Sequence, residues 1–113
     1  MACIFCKIIS GQIPCAKVYE DTDVLAFLDV NPSTKGHCLV IPRQHAENIF
    51  DINEDVLQKI IVVGKRIAEK LKVVMDVPAV NLVNSNGKEA GQEVMHFHLH
   101  IVPRRENDGL KIH

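Results

Sequence analysis

Residues 96–102 read His-Phe-His-Leu-His-Ile-Val, three imidazoles at alternate positions. In an extended chain alternate side chains share a face, so His96, His98 and His100 point one way and Phe97, Leu99 and Ile101 bury themselves the other way. Histidine is not a preferred core residue, so three together ask for chemistry rather than packing. Three chemistries compete. One metal could take all three rings, but Cα atoms two residues apart lie about 6.7 Å from each other. His96 and His100 are then roughly 13 Å apart, which strains a shared ion. The rings could instead bind an anion, although a neutral imidazole offers only one donor. Or one ring is a nucleophile and its neighbours orient it, because an imidazole held at one nitrogen presents a lone pair at the other. The loop before this run, Asn84-Ser85-Asn86-Gly87-Lys88-Glu89-Ala90-Gly91-Gln92, favours the last reading. Asn84 carries amide donors, and Gly87 and Gly91 let backbone N–H groups approach a ligand as an anion nest. An anion site beside a nucleophilic imidazole is what phosphoryl or nucleotidyl transfer needs.

A second group opens the chain. Cys3-x-x-Cys6 has the spacing of half a tetrahedral zinc site. A redox dithiol has the same spacing, but no thioredoxin-like βαβ pattern surrounds it. Two small buried residues are the plain alternative. Cys15 and Cys38 stand alone.

The elements that must carry these groups are few. Residues 4–10 suit a short helix ending near Gly11, with Pro14 as a breaker. Residues 18–20 and 24–28 read as strands around the turn Asp21-Thr22-Asp23, and 31–36 read as a loop. Residues 38–41 form a compact apolar strand closed by Pro42. A long helix is expected over 54–74, capped by Asn53, with Ile52 and Leu57 placed as a hydrophobic staple. Leu57, Ile61, Gly64, Ala68 and Leu71 mark one apolar stripe on it, and Val56, Ile60, Val63, Ile67 and Val74 a second. That is wider than one core-facing stripe, so the helix either packs deeply or offers one stripe to a partner subunit. Residues 79–83 and 94–102 complete the strands, the latter stopped by Pro103. Several strands with one long helix imply an α+β domain with a mostly antiparallel sheet.

The bulk properties agree with a single domain over residues 1–113. Hydrophobic residues make up 47% of the chain and charged ones 24%, which excludes a disordered class. Thirteen basic residues face fourteen acidic ones, so no global field draws nucleic acid or an anionic membrane. The longest uncharged apolar run outside the N-terminus, Ile60-Ile61-Val62-Val63, is far short of a membrane span, and Lys7 interrupts the N-terminal apolar residues. A cytoplasmic protein without structural disulfides is the expectation.

The run Gly91-Gln92-Glu93-Val94-Met95-His96-Phe97-His98-Leu99-His100-Ile101-Val102 resembles the histidine triad signature, His-φ-His-φ-His-φ-φ with φ apolar. Cys3-Ile4-Phe5-Cys6-Lys7-Ile8-Ile9, Ile13-Pro14, Leu25-Ala26-Phe27-Leu28-Asp29-Val30 and Gly36-His37-Cys38-Leu39-Val40-Ile41-Pro42 resemble further segments of that superfamily, in its order and over nearly the whole chain. The small nucleotide-binding branch is the nearest match. The resemblance implies a five-stranded antiparallel sheet with one long and one short helix, paired as a two-fold homodimer. It implies a purine nucleotide substrate, hydrolysed or transferred through a covalent nucleotidyl intermediate on His98. Nucleoside phosphoramidates, AMP–amine or AMP–lysine conjugates, are the implied substrate class; dinucleoside polyphosphates, or nucleotide binding without chemistry, are the alternatives.

Site roles follow from the same resemblance. His100 would contact the phosphate and the departing group, and His37 would stand behind the triad. Asp29 would accept from the ribose hydroxyls, and Phe5, Ile8, Phe27, Val30 and Leu39 would sandwich the purine. Asn84, Gly91 and Glu93 would line the α-phosphate, Glu93 through its backbone N–H because an ionised carboxylate cannot donate. Without that context Phe27 and Leu39 read equally as core, Asp29 as a turn cap and His37 as a surface histidine. The zinc-bearing branch of the superfamily supplies the partners of Cys3 and Cys6: His45 and His96, giving a closed structural Zn²⁺ site. No organic cofactor is implied.

Overall fold

The computed structural model describes residues 3–110. A short helix α1 (Ile4–Ile9) leads into strands β1 (Lys17–Glu20), β2 (Val24–Leu28) and β3 (Cys38–Pro42). Helix α2 (Glu54–Val74) follows, then β4 (Ala79–Val83), a single 3₁₀ turn at Lys88–Ala90, and β5 (Leu99–Arg104). The strands form one sheet in the order β1-β2-β3-β5-β4, every pair antiparallel.

Helix α2 has the bounds expected from its caps. Asn53 Oδ1 accepts from the amides of Asp55 and Val56 at 2.8 and 3.2 Å. Glu54 and Asp55 place negative charge in the first turn, and Asp76 at φ +51° turns the chain out of the helix. The two apolar stripes do not divide one to the sheet and one to an outer face. The core takes Ile60, Val63, Gly64 and Ile67, which come from both, while Ile61 and Val74 are exposed beside Val62 and Val73. The inclination of the helix on a twisted sheet selects a face that crosses both rows. Gly64 lets α2 approach β5 closely: a Cβ there would sit 2.9 Å from Leu99 Cδ2.

The sheet is covered on both faces at its centre, which explains the uninterrupted apolar runs of β2 and β3. Val24, Ala26, Val40, Leu99 and Ile101 pack with Ile60, Val63 and Ile67 of α2. Leu25, Phe27, Leu39 and Ile41 pack on the opposite face with Phe5 of α1.

The final strand departs from the expected 94–102. Residues 94–98 lie outside the ladder because their hydrogen bonds go elsewhere: Phe97 N–H donates to Ala46 O at 2.7 Å, and Val94 O accepts from Gln92 Nε2 at 3.0 Å. Pro103 does not stop β5. It pairs with Val80 of β4 beyond the last β3 pair, Cys38 with Ile101, where β5 has a ladder partner on one side alone. Pro42 likewise belongs to β3, opposite Val24. The inward–outward alternation survives outside the ladder. Phe97 joins Leu99 and Ile101 in the α2 core, and His98 stacks edge-on against His100.

Candidate active site and metal centre

His98 is 93% withdrawn from solvent, at 7% exposure, on the α1 side of the sheet. Its Nδ1 lies 2.7 Å from His96 O, and a carbonyl can only accept, so the proton sits on Nδ1. In the neutral ring the Nε2 lone pair is then free to attack. Phe5 meets this ring edge-on at 5.3 Å between centroids, and His100 at 4.9 Å. Asn84 Nδ2 donates to His98 O at 3.0 Å, so one amide hydrogen expected at a phosphate holds the backbone of His98 instead.

A chain of tautomers stands behind His98. Ser33 N–H donates to His37 Nδ1 at 3.0 Å, which makes Nδ1 the acceptor and puts the His37 proton on Nε2. That Nε2–H faces His100 Nδ1 at 2.9 Å, leaving His100 with its proton on Nε2. Burial pushes His100 down to about 4 despite the pull of Asp29, with repulsion from His98 and His37 adding to the effect. Burial also lowers His37, again against Asp29. Both rings are neutral at neutral pH, and His100 Nε2–H is a fixed donor beside the His98 ring. The loop carrying Ser33 is tied to β5 by Thr34 Oγ1 donating to Pro103 O at 2.8 Å.

Asp29 caps a turn, Oδ1 accepting from Asn31 N–H at 2.9 Å, while Oδ2 lies 3.6 Å from His37 Nε2. Asp29, His37 and His100 converge closely enough to surround an ion. The hydrogen bonding argues against one: His37 already accepts at Nδ1, so its Nε2 bears a proton and has no lone pair to give.

A different set could hold a metal. Cys3, Cys6, His45 and His96 bring their ligand atoms within 4.8 Å of one another. Cys3 Sγ lies 3.4 Å from His96 Nδ1, Cys6 Sγ 3.4 Å from His45 Nδ1 and 3.6 Å from His96 Nδ1, and the two Nδ1 atoms 3.1 Å apart. Tetrahedral zinc with its usual bond lengths spaces nitrogens by about 3.3 Å and sulfur from nitrogen by about 3.6 Å, so the four groups fit. His96 Nε2–H donates to Pro42 O at 2.8 Å, which leaves Nδ1 as a lone pair aimed into the set. Burial pushes His96 down to about 4, keeping it in the neutral form a metal requires. The Cys6 thiol is raised by burial and then by its neighbour Cys3, a crowding that a dication relieves. Such a closed four-ligand centre supplies cross-links between α1, the segment after β3 and the triad, with no open position for chemistry at phosphorus.

The remaining expectations separate. Phe5, Phe27 and Leu39 are buried together with Ile8 packed against them, on the face that holds His98. Val30 is 84% exposed on the loop after β2 and lies outside that cluster. Gly87 and Gly91 adopt left-handed φ of +96° and +92°, but their amides are used inside the loop, Gly87 N–H on Gln92 Oε1 and Gly91 N–H on Lys88 O. Those two amides are therefore not available to an anion nest, which would have to be made from other N–H groups of the loop. Glu93 is exposed, on the wall of a cavity of about 620 Å³ shared with Glu47, Met95, Ile4, Val94 and the exposed side of the metal set.

Three positioning groups escaped the sequence reading. Gln92 is buried and braces the loop, donating from Nε2 to Glu47 O at 2.6 Å and to Val94 O. Its signal was a polar residue between a glycine loop and the triad. The Ser33 amide and the Pro42 carbonyl belong to the backbone and had none.

Sequence and structure comparisons converge on one group. The HIT domain model matches residues 10–107. An uncharacterised HIT-like protein of Methanocaldococcus jannaschii is 52% identical over 107 residues, covering 95% of this chain and 82% of its own. The adenosine 5′-monophosphoramidase HNT1 of Saccharomyces cerevisiae is 42% identical over 110 residues, 96% of this chain and 67% of the yeast protein. A zinc-bound histidine triad family protein from Mycobacterium smegmatis superposes with a TM-score of 0.93 at 40% identity, covering 98% of this chain and 81% of that one. A small antiparallel α+β fold presenting a histidine triad is the class these features define. The chain belongs to the histidine triad (HIT) family.

Proposed function

We propose that the protein hydrolyses purine nucleoside phosphoramidates, AMP–amine or AMP–lysine conjugates, through a covalent nucleotidyl-His98 intermediate. The observation that carries this reading is the 2.7 Å contact from His98 Nδ1 to His96 O, which leaves Nε2 as the nucleophile. His98 Nε2 attacks the α-phosphorus in line and the P–N bond breaks, the departing nitrogen taking up a proton from solvent that the attacking water of the second step returns. Water then attacks the same phosphorus, releases the nucleoside monophosphate and frees the imidazole. The His100 Nε2–H, fixed as a donor through His37, stabilises charge on the phosphoryl oxygens. Glu93 N–H, which donates to no group among the described residues, is the second donor. Asp29 Oδ2 accepts from the ribose, and the Phe5–Ile8–Phe27–Leu39 cluster backs the purine. A phosphoramidase name on a relative 42% identical over 96% of this chain supports the substrate class.

The test is AMP release from adenosine 5′-phosphoramidate by wild type and His98→Ala, each shown to be folded and zinc-loaded. Turnover should fall by roughly a thousandfold or more in the variant. A folded wild type that binds AMP without turnover would move the protein to nucleotide binding alone; turnover confined to dinucleoside polyphosphates would change the leaving group.

The protein is further proposed to act in the cytoplasm as a two-fold homodimer. Strand β4 is a sheet edge with Leu82 exposed, and α2 leaves Ile61 and Val62 uncovered. Among the described residues no helix is long and apolar enough to cross a membrane. Sedimentation should report twice the 12.6 kDa of the chain; a monomer at micromolar concentration would reject the dimer.

A further inference from the structure

We infer that the metal centre positions the nucleophile: Cys3, Cys6, His45 and His96, once joined by a divalent metal, hold the His98 imidazole in place through the His96 carbonyl and through Phe5.

Two routes connect the sites. The first is a single residue. His96 faces the metal set with Nδ1, is pinned from behind by Nε2–H to Pro42 O at 2.8 Å, and offers its carbonyl to His98 Nδ1–H at 2.7 Å. That last bond is the only hydrogen bond made by the His98 ring among the described residues, and Asn84 holds only the backbone carbonyl of His98. The same peptide is also held by Phe97 N–H on Ala46 O at 2.7 Å, next to the ligand His45, so a shift of His45 or His96 that turns this peptide plane turns or releases the nucleophilic ring. The ladder gives no protection here, because β5 begins only at Leu99.

The second route is α1. A six-residue helix is far below the length that holds itself together, so its position depends on tethers. Cys3 caps it and Cys6 lies one turn on, Cys6 N–H donating to Cys3 Sγ at 3.4 Å. Between them Phe5 sets its ring edge-on against His96 at 5.8 Å, His98 at 5.3 Å and Phe27 at 5.7 Å. A metal that joins both cysteines to His96 fixes this ring against the nucleophile. Without it the set is held by sulfur–nitrogen contacts of 3.4–3.6 Å, and His45 is exposed. Metal occupancy then governs the orientation of His98 as well as the stability of the fold.

The first readout needs no substrate. In the zinc-loaded full chain the His98 Nδ1–H proton should be visible by NMR and protected from exchange. Chelation should cut that protection by roughly tenfold or more while far-UV circular dichroism stays native. Equal protection with and without metal, in a folded protein, would overturn the inference. If chelation unfolds the chain, cadmium replaces zinc, since its longer bonds to sulfur must displace Cys3, Cys6 and His96. The His98 ring nitrogens should then shift; rings indifferent to the metal would overturn the inference equally. The kinetic arm rests on the function proposed above, with single-turnover cleavage expected to be about tenfold slower in the folded chelated protein. A zinc-loaded wild type that cleaves no phosphoramidate would defeat that function and leave the NMR result to decide this inference.

Discussion

The proton on His37 is placed by a backbone amide, and that detail fixes the chemistry of the ring beyond it. Because Ser33 N–H occupies Nδ1, His37 can only donate from Nε2, and His100 is left with a donor aimed away. A substitution that keeps a donor at that place should keep much of the function: His37→Gln should retain more phosphoramidase activity than His37→Leu by about tenfold. Equal losses in steady-state kinetics would mean that His37 acts by bulk alone. Acid has a defined effect as well. His100 refuses a proton in the folded state until about pH 4, whereas a free histidine takes one near 6.5. Between those values the unfolded chain binds more protons, so His100 contributes full stability above about pH 6.5 and loses it as pH falls through that window. In urea titrations from pH 7.5 to 5, His100→Asn should show a shallower decline than wild type; parallel curves would remove His100 as a cause. At the metal set the raised Cys6 thiol requires that binding expel a proton, so zinc affinity should weaken steadily as pH falls.

Elements were legible where side chains and periodicity decide them. The bounds of α2 could be read because Asn53 caps it and the apolar spacing runs unbroken to Val74, and β4 could be read from Ala79-Val80-Asn81-Leu82-Val83 between turns. The start of β5 could not. Alternation over His96-Phe97-His98-Leu99 is the same whether the chain is laddered or merely extended, and what ends the ladder is a bond from Phe97 N–H to Ala46 O. The site divides in the same way. Its side chains, the Cys-x-x-Cys pair and the triad, announce themselves, whereas the backbone partners at Ser33, Pro42 and His96 have no letter in the sequence. Which residues of the two α2 stripes face the sheet could not be read, because the direction of a helix across a twisted sheet is a tertiary property. The cap and the close contact can be tested separately. Asn53→Ala should cost about 1 kcal/mol of unfolding free energy. Gly64→Val should cost about 2 kcal/mol, from crowding against Leu99. Wild-type stability in the second variant would show that Leu99 swings aside without strain.

At the scale of the molecule, a sheet sealed on one face by a long helix keeps its other face for the site, closed there by a helix of six residues. The large core packs on α2 away from the metal set, whereas the small cover carries two of the four candidate ligands, and on the inference above it depends on them. Removing metal should therefore lower the melting temperature in two respects. The bound ion contributes about 3 kcal/mol at a hundredfold excess over its dissociation constant, or about 10 °C for a domain of this size. Phe5 amide exchange should also accelerate before the α2 amides do. Scanning calorimetry and hydrogen exchange on loaded and chelated protein would check both, and uniform loosening of α1 and α2 would contradict the division.

The glycine under Leu99 has a consequence for how such a protein changes over generations. Leu99 sits between His98 and His100 in the chain, so whatever fills position 64 presses on the residue that joins the two rings. A mutation enlarging position 64 is eased by a smaller residue at 99, and such a pair changes the packing directly beneath the histidines. Core packing and the placement of the triad are coupled at this one contact, so the two positions are expected to vary together.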